Sequence, residues 1–404
     1  MVNKFLYLNG GSETYMLKLG EHLASEGHEI QYFGMEHPGR CVGNRVGVYT
    51  ETMDFHHSSL PARLTYPFRI IRSREAERKI RLVLDDFQPD VVHLNNFNYQ
   101  LTPSIITAIV KWREETARSC RIVYTAHDYS LICPNHLMQN PVTFENCEKC
   151  LDGHFLHCVR GRCIHGSTAR SVFGAAEASY WKWNGVYRYL DALICCSDFM
   201  KQKLDTNPLF QNKTLTLHNF VDRATTKGQR GGKYVLYIGR YAMEKGFLSL
   251  MEVCKLLSDI PFVLAGGGPM ESIIPDVHNI RNLGFLSREA LEEQIRDAAF
   301  TVCPSECYDN CPLSVMESIS LGTPVIGARI GGIPELIRDG ENGELFTPGD
   351  RKELAERIRA LWSDPAKLRT YASNCLKTEY DTVESYSKKL MKIYRPDGDE
   401  HEPK

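Results

Sequence analysis

The sequence predicts an α/β protein made of two doubly wound, Rossmann-like domains in series. Apolar runs of strand length alternate with helical segments along the chain, and strands separated by helices pair in parallel. This alternation is interrupted at the polar, glycine-containing stretch 222–233 and then resumes. With 404 residues, each half is large enough to bury a core of its own.

The first predicted domain covers residues 1–222. Its opening strand, residues 2–8, leads into a turn at Gly10 and Gly11, and Ser12 is the expected cap of a helix that runs to residue 26. The same rhythm predicts further strands at 28–35, 91–94, 121–126, 192–196 and 214–217, and a helix at 102–117.

The second predicted domain covers residues 232–380. Strands are expected at 234–238, 262–265, 301–303 and 324–326, with helices that begin near 247, 269, 287 and 312. A last helical stretch, residues 383–394, precedes a polar tail.

Composition excludes several classes of protein. The net charge is −2 and charged residues make up 24% of the chain, so no basic excess points to nucleic acid. The longest apolar runs have the length of strands and are too short to cross a bilayer. The first residues lack the apolar core of a signal peptide, so we expect a cytoplasmic protein.

The first stretch that carries chemistry is 239–246, which follows a strand and opens a helix. Backbone N–H groups at such a position favour an anion. Arg240 and Lys245 lie five residues apart there and could bind a diphosphate. The Arg guanidinium would donate two parallel hydrogen bonds, and the Lys ammonium would act as a point charge. The alternative is a solvated turn with ordinary surface charges.

The second stretch is 304–317, where a strand ends and Pro312 suits the first turn of a helix. Asp309 lies just before that helix and Glu317 lies further along it. Two carboxylates placed in this way could hold sugar hydroxyls on either side of a phosphate. The alternative is a capping aspartate and a surface glutamate.

Taken together, the motifs resemble the retaining GT-B glycosyltransferases of family 4. They occur in the family's order: Gly10-Gly11-Ser12-Glu13, residues 239–246, residues 265–269, and Asp309 and Glu317 followed by 321–325. The resemblance implies two domains that face a central cleft, with the 383–394 helix packed back on the N-terminal domain. It also implies a nucleotide-sugar donor.

The resemblance assigns roles to five residues. Arg240 and Lys245 would bind the donor diphosphate and stabilise the leaving group, and Glu317 would hold the ribose. Asp309 would bind sugar hydroxyls, although the family usually has glutamate there. His127, after a strand, would face the sugar from the N-terminal domain. The implied donor-binding residues are Gly10, Gly11, Gly239, Gly267, Leu286, Asn310, Cys311, Leu313 and Ser314.

The implied reaction transfers a hexose-type sugar from a nucleotide-diphosphate donor, most often a UDP-sugar, to a glycan or lipid-linked acceptor. The anomeric configuration of the sugar is retained. It relies on positioning and leaving-group stabilisation and needs no catalytic cofactor. Two alternatives remain open: a sugar-nucleotide epimerase or phosphorylase on the same fold, and a non-catalytic partner protein.

A cysteine insert, residues 133–165, interrupts the first domain. Cys147, Cys150, Cys158 and Cys163 have the spacing of a zinc knuckle, so we predict a structural zinc ion. Free or redox-active thiols are one alternative. Disulfides, which a reducing cytosol disfavours, are another.

Residues 63–81 combine basic and aromatic side chains. The family resemblance implies that such a patch would bind peripherally to the anionic inner face of the cell membrane. An ordinary charged helix face explains the same composition.

Overall fold

The structure is a computed structural model, and it describes residues 1–51, 70–222, 228 and 231–396. Two parallel sheets form the centres of two α/β domains. The N-terminal sheet contains β1 (Val91–Leu94), β2 (Arg121–Ala126), β3 (Ala192–Cys195) and β4 (Thr214–Thr216), which lie side by side in that order. The predicted strands at 91–94 and 121–126 form with the expected bounds.

The predicted strands 2–8 and 28–35 do not form as continuous ladders. Val2 makes isolated parallel bridges to Leu94 and Phe33, so the chain continues the sheet beyond β1 for only a short stretch. The side chain of Asn3 donates to the carbonyl of Phe5 at 2.7 Å. This carbonyl accepts from a side chain and from no backbone N–H group of the described residues, so the strand pairing does not continue through Phe5.

Helices cover both faces of the N-terminal sheet. They are α1 (Gly11–Ser25), α2 (Arg74–Phe87), α3 (Ser104–Thr116), α4 (Leu156–Arg160), α5 (Thr168–Asn184) and α6 (Asp198–Leu204). The prediction that Ser12 caps the first helix is wrong: Gly10 occupies that position. Ser12 Oγ accepts a hydrogen bond from the side chain of Asn96 at 2.8 Å instead.

The C-terminal sheet has six parallel strands in the order β10-β9-β8-β5-β6-β7. These strands are β5 (Val235–Arg240), β6 (Phe262–Gly267), β7 (Ile280–Asn282), β8 (Phe300–Cys303), β9 (Val325–Ala328) and β10 (Gly343–Phe346). The strand order reverses between β5 and β8, so a crevice opens there at the carboxyl ends of the strands.

The helices of this domain are α7 (Phe247–Leu256), α8 (Arg288–Asp297), α9 (Leu313–Ser320), α10 (Ile333–Leu336), α11 (Arg351–Trp362) and α12 (Pro365–Leu376). The helix predicted near 269 is wrong, because only the 3-10 turn Glu271–Ile273 forms there. Pro275 holds Ile274 in an extended conformation, which stops the turn from growing into a helix.

The last helix, α13 (Val383–Tyr394), packs against the first domain. The hydroxyl of Tyr386 lies 2.8 Å from that of Tyr15 in α1, and Tyr394 bonds to His93 of β1 at 2.6 Å. All four side chains are buried. The chain therefore crosses back from the second domain and ties its end to the first.

Candidate functional site

A cavity of about 540 Å³ lies between the two domains. The carboxyl ends of β5 and β8 open onto it from the C-terminal side, where the strand order reverses. The N-terminal side contributes the start of α1 and the ends of β1 and β2. We call this cavity the cleft. Its lining includes Gly11, Ser12, Asn96, His127, Asn219, Gly239, Arg240, Lys245, Asp309, Asn310, Cys311, Leu313, Ser314 and Glu317.

Three predicted residues do not line the cleft: Gly10, Gly267 and Leu286. Leu286 instead packs against the side of the C-terminal core, because its apolar side chain finds partners there. The neighbouring Phe285 is 86% exposed, and its ring lies where a Cβ on Gly267 would be only 2.6 Å away. Phe285 is thus the exposed aromatic group of this loop, which the sequence did not indicate.

Each of the two predicted phosphate-binding cations has a carboxylate partner. Lys245 Nζ lies 2.7 Å from Asp309 Oδ2, and Arg240 at the end of β5 pairs with Glu244 in the turn that follows. Ser305 Oγ also donates to Asp309 Oδ2 at 2.8 Å. A phosphate that enters the cleft therefore has two cations to bind, each of which must exchange or share its carboxylate partner.

The Lys245–Asp309 pair is partly shielded from water, with side chains that are 28% and 15% exposed. Burial by itself lowers the pKa of Lys245, but the Asp309 carboxylate outweighs it and holds the pKa above its usual value. Burial acts to raise the pKa of Asp309, and the lysine charge overrides it, so that pKa is lowered. Both groups are therefore charged at neutral pH.

A glycine with a left-handed backbone brings these two residues together. Gly246 has φ +66°, and a Cβ there would lie 1.9 Å from the carbonyl oxygen of Pro304. The Glu244 carbonyl in the same turn accepts the N–H groups of Glu306 and Cys307 at 3.0 and 3.1 Å. The turn that carries Lys245 is thus fastened to residues 304–310, which we call the donor loop.

Glu317 projects from α9 at one end of the cleft. Burial raises its pKa, while the nearby cations Arg288 and Lys18 oppose that shift. Lys18 of the first domain and Arg288 of the second both pair with Asp222. Asp222 therefore links the two domains through these ion pairs. The sequence interpretation missed these three residues, because nothing in their spacing relates them.

His127 follows β2 and enters the cleft from the N-terminal side. Its Nε2 donates to Asn95 Oδ1 at 2.9 Å, which leaves Nδ1 as the acceptor nitrogen. Burial lowers the pKa of His127 to about 4, so the ring is neutral at physiological pH. Its backbone carbonyl accepts from Asn310 Nδ2 at 2.8 Å, a contact that joins the two domains.

Three asparagines in the cleft share one pattern. The side-chain N–H groups of Asn96, Asn219 and Asn310 donate to Ser12 Oγ, the Cys311 carbonyl and the His127 carbonyl. Within the part of the chain that the structure describes, their side-chain oxygens are buried and without a hydrogen-bond partner. Such oxygens are costly unless a ligand or water donates to them.

The cysteine insert lies beside the donor loop. All fourteen cysteines of the chain are free thiols, and five thiols of the insert line one small cavity with His157. Among residues 1–51, 70–222, 228 and 231–396, no set of three or more Cys, His, Asp or Glu side chains is arranged to hold a metal ion. A zinc ion on Cys147, Cys150, Cys158 and Cys163 stays a prediction.

The predicted membrane-contact stretch 63–81 falls partly outside the described residues, which resume at 70. Within its described part, Lys79 and Arg81 pair with carboxylates of their own helix, α2, and Arg72, just before α2, pairs with Glu77. These pairs are typical of a charged helix face. In the part of the chain that the structure describes, no helix is both long and apolar enough to cross a membrane.

Comparison with known proteins identifies the family. Residues 9–225 match the family described as Glycosyltransferase Family 4, and residues 232–364 match the one described as Glycosyl transferases group 1. The chain belongs to glycosyltransferase family 4. Since the two matches fall on the two domains, the whole described architecture is that of a glycosyltransferase.

Relatives at the level of sequence are distant. An uncharacterised glycosyltransferase of Methanocaldococcus jannaschii is 26% identical over 408 residues, which cover 96% of this chain and 94% of that one. The alpha-D-kanosaminyltransferase of Streptomyces kanamyceticus is 29% identical over 41% of this chain and 46% of that one. The chain spans 31% to 60% of the length of the first three curated relatives that it matches.

Solved structures establish the fold. Sucrose-phosphate synthase of Thermosynechococcus elongatus superposes with a TM-score of 0.66 at 15% identity, over 98% of this chain and 95% of that one. HepE of Anabaena, solved with UDP and glucose, gives the same TM-score and identity over 97% of both chains. The chain thus has the GT-B fold, as the sequence predicted.

Proposed function

We propose that this glycosyltransferase moves a hexose-type sugar from a nucleotide-diphosphate donor, with UDP as the first candidate, to a glycan or lipid-linked acceptor. The transfer proceeds with retention at the anomeric carbon. The observation that carries the proposal is the convergence of Arg240, Lys245, Asp309 and Glu317 on one cleft at the strand-order reversal.

The two cations suit a diphosphate leaving group. Arg240 and Lys245 lie at the end of β5 and in the turn that follows, where the lining also includes Gly239. Charge that develops on the departing phosphate oxygen is best stabilised by groups already fixed in place. Lys245 is fixed by its bond to Asp309, and Arg240 by its pair with Glu244.

The three unpaired asparagine oxygens suit a polyhydroxylated ligand. Each oxygen accepts a hydrogen bond, and a sugar offers several hydroxyl donors within a small volume. Because these oxygens are buried, a sugar hydroxyl reaches them only after a small movement of each amide, whose N–H side is already engaged. A ligand that has only acceptor groups at these positions would leave the oxygens unsatisfied.

One similarity makes UDP the first candidate, and another supports the transfer of a sugar. HepE of Anabaena, which shares the fold, was solved with UDP and glucose. The kanosaminyltransferase of Streptomyces kanamyceticus is named for the transfer of a sugar. For this chain, the base, the sugar and the acceptor are proposals. Action at the cytoplasmic face of a membrane, on a lipid-linked acceptor, is part of the same proposal.

A binding screen tests the donor site. The melting temperature is measured with UDP, GDP and ADP and with their common sugar conjugates, in the wild type and in Arg240→Ala. A ligand of the native state raises the melting temperature. We expect one nucleotide to stabilise the wild type selectively and the variant much less. The same shift in both proteins would remove Arg240 from the site.

Product analysis separates the proposed transfer from its alternatives. With the selected donor and a mixture of glycan acceptors, a transferase forms a new glycosidic bond whose anomeric configuration matches that of the donor. An epimerase converts the donor without an acceptor, and a phosphorylase requires inorganic phosphate. Binding without any turnover would favour a non-catalytic partner protein.

A further inference from the structure

The thiols of the cysteine insert include one contacting pair. Five of them line the same small cavity: Cys133, Cys147, Cys150, Cys158 and Cys163. Within this group, Cys158 and Cys163 are joined by a backbone hydrogen bond across the turn between them, and each thiol shifts the pKa of the other. A zinc knuckle would instead draw four ligands around one point, and the described residues form no such set.

We propose that Cys158 and Cys163 are a redox-active dithiol that closes reversibly to a disulfide. The disulfide changes how the cysteine insert supports the donor loop. This second part rests on the proposed function, since it assigns the donor loop to nucleotide-sugar binding. The first part, the disulfide itself, stands on the geometry of the insert alone.

The local backbone places the two sulfurs side by side. Cys158 lies in α4, and its carbonyl accepts the N–H of Cys163 at 3.0 Å, so the chain between them forms a tight turn. A Cβ on Gly161 within that turn would lie 2.8 Å from Cys163 Sγ. Because this residue is glycine, the sulfur has room to approach Cys158.

The two cysteines differ in access to solvent. Cys158 is 1% exposed, whereas Cys163 is only partly buried. An external oxidant therefore reaches Cys163 first, and Cys158 is placed to attack the product. An accessible thiol beside a buried resolving thiol is the usual arrangement of a thiol redox site.

Backbone strain is concentrated in the insert. Nine non-glycine residues among those described have positive φ, and five of them lie in the insert: His136, Met138, Phe144, Arg162 and His165. Arg162 and His165 flank Cys163 on either side. Such conformations persist only where the surroundings hold them. Cys158 belongs to a small buried cluster with Cys150 and Phe155 of the insert and Ala175 of α5. A new bond to Cys158 therefore acts on a large part of that cluster.

The insert touches the donor loop through three hydrogen bonds. The Glu306 carbonyl accepts from Gln139 Nε2 at 3.2 Å and from Asn146 Nδ2 at 2.9 Å. The Tyr308 hydroxyl donates to Glu148 at 2.8 Å. Asp309 follows Tyr308 directly in the chain. A shift of the insert would therefore move the carboxylate that pairs with Lys245.

The oxidation step requires a low-molecular-weight disulfide such as oxidised glutathione. The Cys163 thiolate attacks one glutathione sulfur, forms a mixed disulfide and expels a glutathione thiolate. Cys158, as its thiolate, then attacks the Cys163 sulfur and expels the second glutathione. Two electrons and two protons leave the protein, and two molecules of reduced glutathione form. Excess reduced glutathione reverses both steps.

Thiol trapping tests the disulfide. The full-length protein is equilibrated with oxidised glutathione, its free thiols are blocked with N-ethylmaleimide, and its peptides are mapped by mass spectrometry. We expect a Cys158–Cys163 cross-link that dithiothreitol removes and that is absent in Cys163→Ser. The control Cys41→Ser, which alters an exposed cysteine outside the insert, keeps the cross-link.

Two results would overturn the dithiol. One is stoichiometric zinc in the purified protein together with protection of the insert's thiols from the maleimide. The other is a dominant cross-link between different cysteines, such as Cys147 and Cys150. If Cys163→Ser fails to fold, as judged by its melting curve, Cys158→Ser takes its place.

UDP affinity, measured by calorimetry in the reduced and oxidised forms, tests the effect on the donor loop. We expect the two dissociation constants to differ at least threefold in the wild type and to agree in Cys163→Ser. Equal values in the wild type would reject the coupling. If UDP binds neither form, the proposed donor site fails, while the mapped cross-link still decides the dithiol.

Discussion

The two walls of the cleft differ in charge. The C-terminal wall carries Arg240, Lys245, Asp309 and Glu317. The part of the N-terminal wall that the structure describes contributes hydroxyl, amide and thiol groups, with a histidine that burial keeps neutral. One wall therefore suits a charged diphosphate, and the other suits neutral hydroxyl groups.

This difference assigns separate tasks to the two domains. Charges that are held in place beside a leaving group stabilise it strongly, so changes in the C-terminal wall should affect turnover. Single neutral hydrogen bonds contribute about 0.5–1.5 kcal/mol each, so changes in the N-terminal wall should affect substrate binding more modestly. Four substitutions test this division, from the largest expected effect to the smallest.

Lys245→Ala should reduce kcat by about 10³-fold, which is the upper end for removal of one stabilising group from a transition state. The variant also leaves Asp309 buried without its cation. Steady-state kinetics with the donor from the binding screen measure the loss. Lys233→Ala, which removes a surface lysine paired with Asp297, is the matched control and should leave kcat unchanged. A loss below tenfold in Lys245→Ala would contradict the role of this residue.

Glu317→Gln should weaken nucleotide binding about tenfold, because a carboxylate accepts hydrogen bonds from the ribose better than an amide does. Burial raises the pKa of Glu317, so its carboxylate is protonated at a higher pH than usual. Nucleotide affinity should therefore fall more steeply with decreasing pH in the wild type than in the variant, since protonation of the nucleotide's own phosphate affects both proteins alike. Calorimetric titrations across the acid range check this, and identical pH profiles would reject the assignment.

Asn96→Ala should raise a sugar-dependent KM about fivefold, roughly 1 kcal/mol, since one neutral acceptor is lost. Affinity for the nucleotide alone should not change, because the N-terminal wall does not bind the diphosphate in this scheme. Asn207→Ala, which alters a side chain whose oxygen bonds to the backbone N–H of Leu209, is the control. A lower affinity for the free nucleotide in Asn96→Ala would contradict the assignment of nucleotide binding to the C-terminal wall alone.

The charged wall could be predicted from sequence, and the neutral wall largely could not. Arg240 and Lys245 lie within one strand-turn segment, and Asp309 and Glu317 are eight residues apart. Local spacing and family resemblance therefore suffice to place these four residues. The sequence also predicted two α/β domains, because each buried strand is a short apolar run bounded by turns.

The neutral wall depends on contacts between distant segments. Asn96 is oriented by Ser12, which is 84 positions away, and the carbonyl of His127 accepts a hydrogen bond from Asn310 of the opposite wall, which is 183 positions away. No local pattern encodes such pairs. The error at residues 2–8 has a similar origin, since the Asn3 side chain takes up the backbone carbonyl of Phe5. An apolar pattern alone does not reveal that bond.

The smallest predicted effect concerns the neutrality of His127. Burial lowers the pKa of this residue to about 4, and Asn95 Oδ1 accepts from its Nε2 at 2.9 Å. In Asn95→Asp, a carboxylate at that distance should raise the His127 pKa by roughly one to three units, towards the physiological range. If the neutral ring is needed, kcat/KM of the variant should fall a few-fold between pH 7 and pH 5.5, whereas His127 gives the wild type no such acid limb. The double variant Asn95→Asp/His127→Gln lacks the titrating ring and should lose the acid limb. An acid limb that persists in the double variant would assign the pH dependence to another group. The protonation state of His127 would then have no role in the function of the neutral wall.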